Sequence, residues 1–200
     1  MCCCTQNQTL KEKQAALSNG HIDNSYHYSC KEVGWETELP QNWNVFTRDE
    51  SAALNDKGKN AIEKSTGIKV DVSSLKELVN LKKDKFNSFL STIEPFDSAT
   101  DGDYDEHNTY LNKMISDTYT KQKIKMESSA GSEIVAGKRF TTWEGKIFAP
   151  GSDKIILWQK MNSSLINGYD FSMTMSYNNE SDKVVLMKII SSSVFSKFSK

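Results

Sequence analysis

No run in this 200-residue chain approaches the ~20 consecutive apolar residues that a membrane-spanning helix needs. An excess of one charge sign is missing as well. Twenty-five Lys and Arg stand against 26 Asp and Glu, interleaved along the sequence. An electrostatically driven nucleic-acid binder normally shows a concentrated basic stripe, so no nucleic acid is expected as a partner. Histidine is scarce, at three residues, and His21, His27 and His107 fall in three different parts of the chain. No Gly-x-Ser-x-Gly elbow, phosphate loop or dinucleotide fingerprint occurs. No internal repeat stands out. No catalytic constellation and no cofactor is therefore expected, and a hydrolase reading is the weakest of those open.

Cysteine is scarce except at one place. Cys2, Cys3 and Cys4 are consecutive, and Cys30 stands alone. Adjacent cysteines lack the Cα separations a disulfide staple requires. They also lack the two-to-four-residue spacing of a zinc site. Terminal thiols of this kind point to lipid: a diacylglyceryl group on a bacterial lipoprotein, or S-palmitate on a cytosolic protein. Met1 directly precedes Cys2, so no apolar signal segment is present. The expectation is that such a segment has been removed and that Cys2 carries the lipid. Residues 1–24 then form a flexible polar tether, and residues 25–200 a single domain, of a length that buries a proper core. An ordinary unstructured N-terminus with incidental cysteines is the alternative.

The clearest pattern lies near the C-terminus. Tyr169, Phe171, Met173, Met175 and Tyr177 alternate with polar residues, predicting a strand with one face on a core and one in water. Asn167-Gly168 supplies the left-handed residues of a tight turn, and Lys154–Met161 is the antiparallel partner. Val185, Leu186, Ile189 and Ile190 then recur at helical spacing. Earlier, Thr47-Arg-Asp-Glu50 forms a capping box for a helix to about Lys64, expected to be weak or broken at Gly58. Residues 76–94 read as a hairpin rather than a helix, closed by Pro95. Asp103-Tyr-Asp-Glu106 caps a helix to about Gln122. Ser128–Ser132 reads as a turn, and Phe140, Trp143, Ile147 and Phe148 continue a sheet.

Three stretches carry a family resemblance. Gly34-Trp-Glu-Thr-Glu-Leu-Pro-Gln-Asn-Trp43 resembles an opening strand, proline, short gap and tryptophan. Gly137-Lys-Arg-Phe140 through Trp158 resembles central antiparallel strands. Ser181 to Phe195, ending Ser192-Ser-Val-Phe195, resembles a closing helix with a short final segment. Together they are similar to the PsbP-like fold family, which includes the extrinsic subunit of the oxygen-evolving complex, the Ran-binding Mog protein and many small bacterial lipoproteins. The resemblance spans residues 26–195. It implies an α+β fold, an α/β/α sandwich whose central antiparallel sheet has about six strands, with helices on its faces. It further implies a non-enzymatic binding or assembly role, and transfers no functional residue.

Candidate sites remain few. Asp101, Asp103 and Asp105 alternate as the first ligands of a calcium loop do, but Glu106 and Asn112 stand where glycine and glutamate belong. Trp35 and Trp43 form a candidate partner patch, although each of the four tryptophans sits in an apolar pattern that favours the core. Cys30 reads as a small buried hydrophobe. Glycosylation sequons begin at Asn7, Asn162 and Asn179. The leading expectation is a lipid-anchored protein of the cell envelope that binds a protein partner. The alternative is a soluble cytoplasmic adaptor for a small GTPase.

Overall fold

The structure, a computed structural model, describes residues 8–67, 69 and 71–196. In chain order it contains α1 (Leu10–Ala16), β1 (His21–Ile22), β2 (His27–Cys30), β3 (Trp35–Glu38), β4 (Asn44–Val45) and α2 (Arg48–Thr66). The hairpin β5 (Lys76–Lys82) and β6 (Ser88–Pro95) comes next, then α3 (Ser98–Asp101) and α4 (Tyr104–Lys121). Last come β7 (Met126–Val135), β8 (Lys138–Phe148), β9 (Ile155–Ile166), β10 (Tyr169–Tyr177), α5 (Glu180–Ser191) and β11 (Val194–Phe195). The strands form an antiparallel seven-stranded sheet, β4-β5-β6-β10-β9-β8-β7, and a four-stranded one, β1-β2-β3-β11. The class is α+β, as expected, with the central sheet one strand wider.

β10 sits at the middle because its alternation serves two layers. Phe171, Met173 and Met175 are buried beneath the small sheet and α5. Phe171 meets Trp35 of β3 edge-on, with ring centroids 5.2 Å apart. The opposite face, expected in water, lies half-buried under α4: Tyr104 Oη donates to Asp170 Oδ1 at 2.6 Å. Tyr119 Oη likewise reaches Gln159 Oε1 of β9 at 2.8 Å. Asn167 and Gly168 make the turn at φ 54° and 80°, a left-handed region that Asn tolerates and Gly, lacking a Cβ, adopts freely.

Residues 76–94 form the expected hairpin. α2 runs unbroken through Gly58, contrary to expectation. Its capping box is complete, and the helix packs along α4. Those contributions offset the ~1 kcal/mol that one interior glycine costs. Ser128–Ser132 does not turn but lies within β7, paired residue by residue with β8. The turn falls instead at Ala136-Gly137, with φ 48° and 77°. Ladder hydrogen bonding thus overrides local turn preference in a strand of small residues.

The expected tether also differs from Gln8 onward. Thr9 and Glu12 form a capping box for α1, and Leu17 and Ile22 join the core. Lys13 is buried, its Nζ donating to Gln41 O and Trp43 O, both at 2.5 Å, and facing the Tyr26 ring at 5.0 Å. A lysine needs such partners before it can leave water, and here they fasten α1 to the domain. Cys2 lies outside the described residues.

Candidate functional site

The expected site residues do not converge. Trp35 is 0% exposed and Trp43 3%, so they offer no partner patch. Trp35 packs between Tyr28 and Phe171 and donates through Nε1 to Ser193 Oγ at 3.0 Å. Its amphipathic ring is satisfied inside, which is why burial wins. Trp143 is buried as well, lying over Gly145, where any added Cβ would collide with the indole at 2.5 Å. Trp158 is half-buried and stacks parallel to Tyr177 at 5.9 Å.

The three aspartates point to separate tasks. Asp101 Oδ2 accepts the Asp97 amide at 2.7 Å, Asp103 Oδ1 accepts the Glu106 amide at 3.0 Å, and Asp105 lies 3.6 Å from Arg139. Among the described residues no three His, Cys, Asp or Glu side chains are grouped as a metal would require. Helix starts occupy Asp101 and Asp103, and an ion pair with Arg139 occupies Asp105, which accounts for the alternation that resembled a calcium loop. The histidines are dispersed: His21 is exposed on β1, His27 lies 3.7 Å from Glu36, and His107 packs on Phe96 at 5.3 Å. Burial raises the Cys30 thiol pKa, keeping it protonated. The sequon at Asn162 is fully buried, and Asn179 caps α5.

The surface that stands out was not singled out in the sequence. Six of the seven residues from Val184 to Ile190 are apolar, more than one buried stripe of a helix uses. α5 starts at Asn179, whose Oδ1 accepts the Asp182 amide at 2.9 Å. Buried Asp182 is held in turn by Lys83 at 2.6 Å. This anchoring sends Leu186, Ile189 and Ile190 into the core. Val184 is left 67% exposed and Met187 half-exposed. They line a groove of about 780 Å³ whose other wall is Leu39 and Pro40, just beyond β3. Its rim charges are spent on one another: Lys188 pairs with Glu38 at 2.9 Å, and Lys183 with Glu180 at 3.3 Å. The excess of apolar residues in α5 was the available signal.

A smaller cavity, about 250 Å³, lies beside the Trp158–Tyr177 stack. Lys160 borders it, 2.6 Å from Glu133 and 3.4 Å from Glu144. Asn162 also donates to Glu133, at 2.6 Å. The cation is thus neutralised by its neighbours, as a buried charge must be.

Two layers of helices around an antiparallel sheet, with a small second sheet on one side, define a PsbP-like fold. The solution structure of cyanobacterial PsbP (CyanoP) from Synechocystis sp. PCC 6803 superimposes with a TM-score of 0.55 over 90% of this chain and 98% of that one, at 13% identity. That likeness is one of fold. No protein-family profile and no curated protein matches the sequence. No helix among the described residues is long and apolar enough to cross a membrane.

Proposed function

We propose that this protein is a non-enzymatic binding or assembly factor, held at a membrane of the cell envelope by lipid on Cys2, that receives an uncharged apolar segment of a protein partner in the α5 groove. The observation that carries the reading is the open groove wall of Val184 and Met187 against Leu39 and Pro40. Exposed apolar surface of this kind is characteristic of partner sites, and rim charges already paired leave no requirement for charge in the occupant. The PsbP-like fold supports a role outside catalysis.

A photoreactive residue at position 184 of the full chain in its native cell tests the groove. A discrete cross-linked protein, lost when Met187→Glu is added and absent from a probe at exposed Ile134, is the expected result. Equal labelling at both positions rejects it. A captured partner that binds guanine nucleotide would move the reading to the GTPase adaptor. Membrane retention after Cys2→Ala would reject the anchor and leave the groove standing.

A further inference from the structure

The lysines that look scattered in sequence are gathered by the topology. One end of the large sheet holds the β5–β6 tip, the α4–β7 connection and the β8–β9 turn, because Ser88, Ser176, Gln159, Gly145 and Ser128 form one row across five strands. These connections, with the end of α4 and the first turn of α5 beside them, carry Lys83, Lys85, Lys121, Lys123, Lys125, Lys154 and Lys183 against Asp84, Asp153, Glu180 and Asp182. Lys83 pairs with Asp182 and Lys125 with Asp153. Lys85, Lys123 and Lys154 are exposed and have no ion-pair partner among the described residues. At the opposite end, the segment from Glu94 to Glu106 carries six carboxylates, and Lys138 and Arg139 at the start of β8 lie at this end, Arg139 3.6 Å from Asp105. A nearly neutral chain therefore folds into a molecule that is basic at one end and acidic at the other.

The chain enters this fold at the basic end. The Gln8 amide donates to Asn44 Oδ1 at 2.9 Å, and its side chain bonds the Val45 amide and carbonyl at 2.7 and 2.9 Å. Asn44 in turn pairs with Lys82, at the foot of the β5–β6 tip. From Gln8, Cys2 lies six residues back, about 20 Å even at full extension. An anchor there holds the body against the bilayer with this end inward.

We infer that the lysine-rich end of the large sheet is a docking face for an anionic lipid surface, with Lys85, Lys123 and Lys154 against the headgroups and the acidic end directed away. Two independent observations meet in it, the point of chain entry and the sign of the charge. The orientation rests on the proposed anchor, whereas the affinity of the face for anionic lipid does not. Basic residues close to an anionic surface are each worth about a fivefold gain in binding, and salt screens the attraction.

The test measures lysine reactivity toward an amine-modifying reagent, residue by residue, by mass spectrometry of the full chain on vesicles. On phosphatidylglycerol-rich vesicles, Lys85, Lys123 and Lys154 should become several-fold less reactive and Lys138 should not; neutral vesicles or high salt should remove the protection. Unlipidated Cys2→Ala protein should still bind the anionic vesicles, and Lys→Gln at all three positions should weaken that binding about 100-fold. Unchanged reactivity, equal protection of Lys138, or stronger binding to an oligonucleotide than to the vesicles would overturn the proposal. Finding Cys2 unmodified in the native protein would reject the anchor alone, since the protection pattern reads the face directly.

Discussion

Asp170 shows how one side chain is set by the layer it faces. It belongs to the polar half of the β10 alternation, which by sequence looks outward, yet α4 covers it. Burial raises its carboxyl pKa above the ordinary range, against the opposing effect of the Tyr104 hydroxyl, which donates to the ionised form at 2.6 Å. The folded state therefore holds this proton more firmly than the unfolded chain. Its contribution favours folding at low pH and is lost as pH rises through the raised folded value. Asp170→Asn keeps an acceptor for Tyr104 and removes the charge. It should unfold at a higher temperature than the parent at pH 8, the gain shrinking toward pH 4; a gain independent of pH would contradict this account.

At the scale of the element, local chemistry set the ends and tertiary packing set the interiors. The Thr47–Glu50 box starts α2 where the sequence places it. Gly58, a breaker by propensity, is carried through because α2 lies on α4. Beyond its own turn of helix, nothing lies within 4 Å of where a Cβ at Gly58 would stand, and its backbone is helical. Gly58→Ala should accordingly stabilise the protein by about 1 kcal/mol, read from denaturant unfolding with an unchanged slope. β7 is the converse case. Its small residues from Ser128 to Ser132 specify little by themselves, and β8 recruits them through the ladder.

Across the whole molecule, the domain edge is drawn by α1. The polar composition of residues 1–24 reads as a tether, but Lys13 inserts beneath the segment from Gln41 to Trp43 and closes it onto the body. Two charge-assisted hydrogen bonds of this kind, with the packing of the aliphatic stem, are worth about 2–4 kcal/mol to docking. Lys13→Ala should leave the remaining fold intact while proteases cut between Leu10 and Asn19 well below the main thermal transition. Cleavage no faster than in the parent would show that other contacts fasten the helix. The charge asymmetry belongs to this scale too, since strands distant in sequence place their connecting lysines at one end.

Features that depend only on near neighbours along the chain were legible in the order of residues. The Asn167-Gly168 turn, the β10 alternation, the hairpin at 76–94 and the capped starts of α2 and α4 all arise from backbone preference and periodicity within a few residues. The opening Trp35-to-Trp43 stretch and the closing helix carried the resemblance to the PsbP-like fold for the same reason. Tertiary packing alone chose which surfaces remain. It buried Trp35 and Trp43, spent Asp101, Asp103 and Asp105 on separate partners, left Val184 and Met187 facing an open groove, and collected scattered lysines at the end where Gln8 enters. Exposure and charge density depend on which distant elements pack over a residue, and no period in the sequence encodes that.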